Sequence, residues 1–227
     1  MSPYTWLVGN LLFPLHEKVK GHTTIKAHKQ LERSQWLPPA ELEALQIKRL
    51  RSFLSDIGEH VPYYSDLFAS LAFDPCSVNS VAELQRLPLM GKPDIRANMD
   101  GMTASDAGDL QRFNTGGSSG EPLVFLLGKE RVSHDVAAKR RATRWWGVDI
   151  GDPEIVIWGS PIELNAQDRL RLTRDKLFRT RLLSAFEMSD ANLDLFVQEI
   201  KRSKPKMLFG YPSSLAHIAS YADARGI

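Results

Sequence analysis

One loop limits what this chain can fold into. It reads Asn114-Thr115-Gly116-Gly117-Ser118-Ser119-Gly120-Glu121-Pro122, and it lies between two strand-like stretches. Three glycines and three hydroxyl residues fall within six positions. Glycine lets backbone N–H groups turn toward a ligand and lets the ligand come close, so such a loop suits the oxygens of a polyphosphate. The bland alternative is a flexible Gly/Ser hairpin turn. Pro122 and the apolar run Leu123–Leu127 predict a buried strand after the loop, not a helix. That excludes a Walker A loop, which needs a Lys where Glu121 stands and a helix after it. The G-x-G-x-x-G spacing is not met either. Gly116–Gly120 does match the G-x-S-x-G nucleophile elbow, so a serine hydrolase is a competing reading. The elbow also requires a helix directly after its serine.

On either side of residue 105 the texture differs. Residues 1–105 read as a helical N-terminal region, and 106–227 as an α/β part carrying the loop. Leu42, Leu45, Leu50, Phe53, Leu54 and Ile57 recur at helix spacing, with Gly58 as the expected stop. Val61-Pro62-Tyr63-Tyr64 restarts the chain with an extended step, and short helices are expected over 81–87 and after Pro93. Beyond the loop, a helix is expected over Lys129–Trp146 with Val132, Val136, Thr143 and Trp146 on one stripe. Strands are expected at Ile155–Trp158, Leu182–Phe186 and Lys206–Phe209. Helices start near Ser189 and at Pro212, while 161–179 is ambiguous. Strands alternating with helices give an α/β fold class.

Lys plus Arg number 29 and Asp plus Glu 27, a formal charge of +2. That balance does not indicate a general nucleic-acid or anionic-membrane binder, and leaves room for a local basic patch. Two basic stretches, Lys139–Arg144 and Arg169–Arg181, read as solvated faces, with phosphate or partner docking as the sharper alternative. The single cysteine, Cys76, forms no internal disulfide, so a cytoplasmic protein is expected. No membrane span is expected. The apolar stretch Pro3–Leu15 reads as a short docked helix rather than a signal peptide. No His or Cys spacing suggests a built-in metal site. Trp145, Trp146 and Trp158 read as core anchors.

Asn114–Leu123 resembles the phosphate-binding loop of the adenylate-forming superfamily, and within it most resembles the phenylacetate–CoA ligase and CapK-type branch. The likeness extends to Gln35-Trp36-Leu37, Val61–Tyr64, Leu182–Phe186 and Phe209-Gly210-Tyr211-Pro212-Ser213-Ser214-Leu215. It implies the N-terminal part of the large domain of such an enzyme. It also implies ATP-dependent activation of a small-molecule carboxylate as an acyl-adenylate, with Mg²⁺ arriving on the nucleotide and coenzyme A as a possible acceptor. Thr115, Gly116, Gly117, Ser118, Ser119 and Gly120 would then hold ATP phosphates. Trp158, Gly159, Gly210, Tyr211, Pro212 and Ser213 would border the substrate pocket. No catalytic residue is assigned. Many relatives carry Lys directly after the loop proline, where this chain has Leu123. A cationic contact is therefore absent there or comes from elsewhere, with Lys129 and Arg131 as candidates. The superfamily's downstream motifs have no counterpart before Ile227, so the chain reads as a fragment, inactive alone and prone to self-association. The alternative is a non-catalytic remnant that binds a partner.

Overall fold

A computed structural model describes residues 2–115, 122–159 and 169–227. In chain order the helices are α1 (Pro3–Leu7), α2 (Phe13–Val19), α3 (Thr24–Ser34), α4 (Pro39–His60), α5 (Pro62–Ser70), α6 (Lys92–Ala97), α7 (Lys129–Arg144), α8 (Arg169–Phe178), α9 (Asp190–Ser203) and α10 (Pro212–Ala224). The strands are β1 (Leu110–Asn114), β2 (Val124–Gly128), β3 (Glu154–Trp158), β4 (Thr180–Ser184) and β5 (Met207–Gly210). Two compact units result: Met1–Gly21 with Ala138–Ile227, and His22–Ala137. They do not coincide with the change of texture at residue 105, because the hairpin sorts with the preceding helices and the first residues sort with the C-terminal strands.

In the unit His22–Ala137 the core is Leu54, Phe68, Phe73 and Val78. Helix α4 runs past Gly58 to His60. A Cβ at Gly58 would lie 3.1 Å from the Phe68 ring, so this glycine serves close packing rather than a helix stop. Val61 alone is extended, and Pro62 opens α5 with its ring in the first turn, where no N–H is needed. The segment Val81–Arg86 is a 3₁₀ turn fixed by a capping box between Ser80 and Glu83. Strands β1 and β2 pair antiparallel, from Leu110 opposite Gly128 to Asn114 opposite Val124. The reading of a buried strand after Pro122 is thus corrected. Strand β2 pairs only with β1 among the described residues, and none of its side chains is fully buried.

The other unit is built on a parallel sheet of order β4-β3-β5. Alternation along β3 sends Ile155 and Ile157 to one face, with Leu183 beside them. Leu193, Phe196 and Val197 of α9 and Ile218 and Tyr221 of α10 cover that face. Burying side chains such as Ile155, Ile157 and Leu193 contributes about 1.5–3 kcal/mol each. The opposite face carries Val156, Trp158, Leu182 and Phe209.

A buried ionic network closes the start of this unit. Arg140 Nε donates to Asp149 Oδ1 at 2.8 Å, and Arg144 Nη1 donates to Asp149 Oδ2 at 2.6 Å. Asp152 accepts from the Thr5 hydroxyl at 2.8 Å and from Lys206 Nζ at 2.9 Å. Burial alone would raise both carboxyls. Arg140 beside Asp149 and Lys206 beside Asp152 reverse that and hold each below the usual carboxylate range. Arg140 is therefore not on a solvated face, because the stripe that α7 buries is Ser133, Ala137 and Arg140. Trp145 and Trp146, expected in the core, are 55% and 83% exposed, because α7 ends at Arg144 and the stripe through Trp146 is not the packed one.

Helices α1 and α2 are joined by a π-turn, Val8–Leu12. Thr5, Val8, Gly9, Phe13 and Glu17 are buried. Gly151 has φ +94°, and a Cβ there would lie 2.7 Å from Val8 Cβ, so only glycine lets this turn meet the helix. Among the described residues, no helix is long and apolar enough to cross a membrane.

Candidate functional site

Two sets of residues are candidates for a site, one in each compact unit. In the hairpin, Thr115 draws the loop's two ends together. Its N–H donates to the Leu123 carbonyl at 2.9 Å, and its hydroxyl accepts from the Leu123 N–H at 2.9 Å. Both Leu123 backbone groups are thereby satisfied. Gly116, Gly117, Ser118, Ser119 and Gly120 lie outside the described residues. The loop leads into a strand, since β2 begins at Val124 and runs antiparallel to β1. The serine-hydrolase elbow needs a helix in that place.

The hairpin also fixes where the nearby cations lie along its strands. Lys129 comes directly after Gly128, which pairs with Leu110 at the end of the hairpin away from the loop, and its Nζ bonds Asp109 at 3.1 Å. At about 3.3 Å rise per residue, Lys129 is roughly 15–20 Å along the strand from the loop. Arg131 is farther along the chain and pairs with Asp135. Lys129 and Arg131, the candidates for a cationic contact in place of Leu123, are thus both paired with carboxylates. Among the described residues, Arg96 and Arg112 are cations near the loop stem. Arg96 Nη2 donates to the Pro122 carbonyl at 3.4 Å. With Met99, Pro122, Val124 and Leu126, the two arginines line a cavity of about 430 Å³. Sequence reading missed both; the signal was the alternation that puts Arg112 opposite Leu126, two residues from Val124 on the same face.

In the other unit, the second set gathers at the carboxyl ends of β3 and β5, the part of a parallel α/β sheet where ligands bind. Gly210 sits opposite Ile157. A Cβ on Gly210 would lie 2.4 Å from the Ile157 carbonyl oxygen, so the strands approach this closely only with glycine. Trp158 stacks on Tyr211 at 4.1 Å between ring centroids, with 16° between planes, and on Phe209 at 6.2 Å. Trp158 is 41% exposed, so it is not the core anchor expected of it. Gly159, with φ +77°, ends β3. Tyr211 caps α10 and Pro212 is its first residue. Ser213 is exposed. The Lys139 ammonium lies 4.3 Å from the Phe209 ring centroid and also binds Glu154. The result is a flat aromatic surface with one cation at its margin, suited to a planar or apolar group. Among the described residues, no group of three or more His, Cys, Asp or Glu side chains could hold a metal ion.

No protein-family model matches the chain. Protein CapK of Staphylococcus aureus is 26% identical over 182 residues, which is 80% of this chain and 40% of that protein. The phenylacetate-coenzyme A ligase of Aromatoleum evansii is 25% identical over 189 residues, covering 82% of this chain and 42% of the relative. Among solved structures, 2-hydroxyisobutyryl-CoA ligase in the postadenylation state with 2-HIB-AMP superposes with a TM-score of 0.61 at 19% identity. It covers 84% of this chain and 41% of that chain. The chain thus spans about two fifths of the length of the relatives it matches. Over that span it is related to the adenylate-forming enzymes of the phenylacetate–CoA ligase and CapK type, and its helical N-terminal region followed by strands and helices is part of their α/β fold.

Proposed function

We propose that this chain supplies the nucleotide-phosphate loop and one wall of the acyl pocket of an enzyme that activates a carboxylic acid with ATP. A carboxylate oxygen attacks the α-phosphorus, the bond from that phosphorus to the bridging oxygen breaks, and pyrophosphate leaves. A thiol such as that of coenzyme A then attacks the acyl carbonyl and displaces AMP. The observation that carries the reading is the strand–loop–strand hairpin closed by Thr115 on Leu123, in a chain related to acid–CoA ligases.

In this reading Thr115–Gly120 hold the β- and γ-phosphates through backbone and hydroxyl donors. Arg96 and Arg112 supply the cationic contact that Leu123 does not. Their chemistry fits, since a guanidinium pairs with phosphate through two parallel hydrogen bonds. Mg²⁺ enters on the nucleotide, where it neutralises phosphate charge. Trp158, Gly159, Gly210, Tyr211, Pro212 and Ser213 form the wall against which the acyl group rests. Near-attack geometry needs base, ribose and phosphates held together, so residues 1–227 alone should not adenylate. We place the reaction in the cytoplasm, where ATP and coenzyme A are found.

Carboxylate-dependent exchange of pyrophosphate into ATP tests the reading on the protein that joins this chain to the rest of its relatives' length. Gly117→Val and Ser118→Val should lower exchange far more than Cys76→Ala. Equal exchange in all three would remove the loop from the mechanism. If no acid supports exchange and the protein binds no ATP, the non-catalytic, partner-binding reading replaces this one.

A further inference from the structure

The N-terminal helical segment carries an outer face that the proposed chemistry does not use. Its buried stripe is Thr5, Val8, Gly9, Phe13 and Glu17. Two positions along run Leu7, Leu11, Leu15 and Val19, which are between 38% and 80% exposed. Two residues are about 200° of helix, so this stripe points away from the body. Trp6, 54% exposed, adds an aromatic ring. A docked surface helix is normally polar on its outer side. This one has an apolar ridge about 18 Å long from Leu7 to Val19 at 1.5 Å rise per residue.

Among residues 2–21 the exposed charges have one sign. Glu17 is the only acid among residues 1–21, and it is buried and bonded to His16. Lys18 and Lys20 are exposed beside Val19. Helix α8 docks alongside: the Tyr4 hydroxyl donates to the Leu177 carbonyl at 2.8 Å, and Phe178 meets Phe13 edge-on at 5.9 Å. It exposes Leu172 and Leu177 together with Lys176 and Arg179. A cavity of about 620 Å³ opens there, with Lys176 and Arg179 in its lining and with Arg181, which pairs with Glu199. The acid in that lining, Asp175, is bonded to Arg174.

We propose that this face binds the surface of an anionic phospholipid membrane. The leucines, Val19 and Trp6 would enter the boundary between headgroups and acyl chains, while the cations of α2, Lys20 and α8 meet lipid phosphates. Apolar residues on one side of a helix with Lys and Arg at its flanks are what an in-plane membrane helix needs. Charge complementarity selects this occupant. The whole chain is nearly neutral, yet the cations around this ridge have no exposed acid on α1 or α2 to pair with. The proposal is independent of the ATP reading.

Flotation of the 1–227 chain with vesicles tests it, comparing phosphatidylcholine mixed with phosphatidylserine against phosphatidylcholine alone. The chain should float with the anionic vesicles only, and salt should release it. Leu11→Gln/Leu15→Gln should lower partitioning by roughly tenfold or more, the effect carried by burial of leucine side chains. Lys18→Gln/Lys20→Gln should lower it roughly fivefold per lysine at low salt. Circular dichroism should match the wild type in both variants, since the replaced side chains are exposed. Failure of the wild type to float, equal binding to both vesicles, or undiminished flotation of the leucine variant each overturns the proposal. So does a lipid-free dimer in sedimentation that the leucine variant abolishes, because a second copy would then cover the ridge.

Discussion

Gly210→Ala should destabilise the C-terminal unit more than any other addition of one methyl group to the β5 strand. The added Cβ would lie 2.4 Å from the Ile157 carbonyl oxygen, 2.9 Å from Ile157 Cβ and 3.1 Å from the Ile157 carbonyl carbon. Two of these three atoms are backbone, and Ile157 is fully buried in the central strand, so no rotamer change relieves the contact. Overpacking costs about 1–3 kcal/mol, and an obstacle of backbone puts this site at the upper end. Losing a glycine from the unfolded chain offsets about 0.4–1 kcal/mol. The net loss is about 2 kcal/mol, which for a chain of this size lowers the melting midpoint by roughly 4–8 °C. Thermal and urea unfolding followed by far-ultraviolet circular dichroism measure it. Gly108→Ala is the control, because nothing lies within 4 Å of a Cβ there. If both variants melt together, the strands can separate without cost and the argument for a glycine-enforced approach at the β3–β5 end fails.

Thr115→Val should leave the Leu123 N–H without its acceptor and weaken the loop stem by about 1 kcal/mol, read as faster hydrogen exchange at Leu123 while Thr115→Ser keeps most of the protection. Arg112→Gln should weaken pyrophosphate binding in calorimetry while Lys129→Gln leaves it unchanged; the reverse result would move the cation to the far end of the hairpin. Asp149→Ala should cost about 3–5 kcal/mol at neutral pH, because it strands the buried Arg140, and urea midpoints measure that loss. Asp149 and Asp152 both have lowered folded pKa values, so their stabilisation is complete above the unfolded carboxylate range, near pH 4, and is lost as pH falls through the folded values. Replacing both with Asn should therefore flatten the acid limb of the stability–pH curve.

Much of the fold was legible because periodicity is a local property. Leu193, Phe196 and Val197 fall at helix spacing, and α9 buries those three against the sheet. Leu110–Asn114 reads as a strand and is one. The misreadings arose where tertiary packing chose between equally good local patterns. The segment Lys129–Trp146 offers one stripe through Trp146 and another through Ser133, Ala137 and Arg140, and the second is the buried one, with Arg140 paired to Asp149. No spacing rule weighs an arginine as a core residue, so the ionic network was not foreseeable. Gly58 looked like a helix stop by composition, yet the Phe68 ring needs its open side. The apolar run after Pro122 looked like a buried strand, since hydrophobicity alone cannot count a strand's neighbours.

The candidate site divides along the same line. Thr115 and the glycines after it stand out because a candidate ligand loop is written in consecutive residues. The cations beside it are not: Arg96 lies on a helix and Arg112 two positions inside β1, and they meet Pro122 and Leu126 only through the hairpin register. Lys129 stands nearer the loop in sequence than Arg96, six residues after Leu123, and yet an extended strand carries it away at about 3.3 Å per residue. Trp158 and Tyr211 are 53 positions apart in the chain, yet their rings stack because β3 and β5 are parallel neighbours whose carboxyl ends coincide. Each of the two candidate sets therefore depends on a pairing register. A substitution that shifts one, such as Gly210→Ala between β3 and β5, should disturb the aromatic surface before it touches any residue of that surface directly.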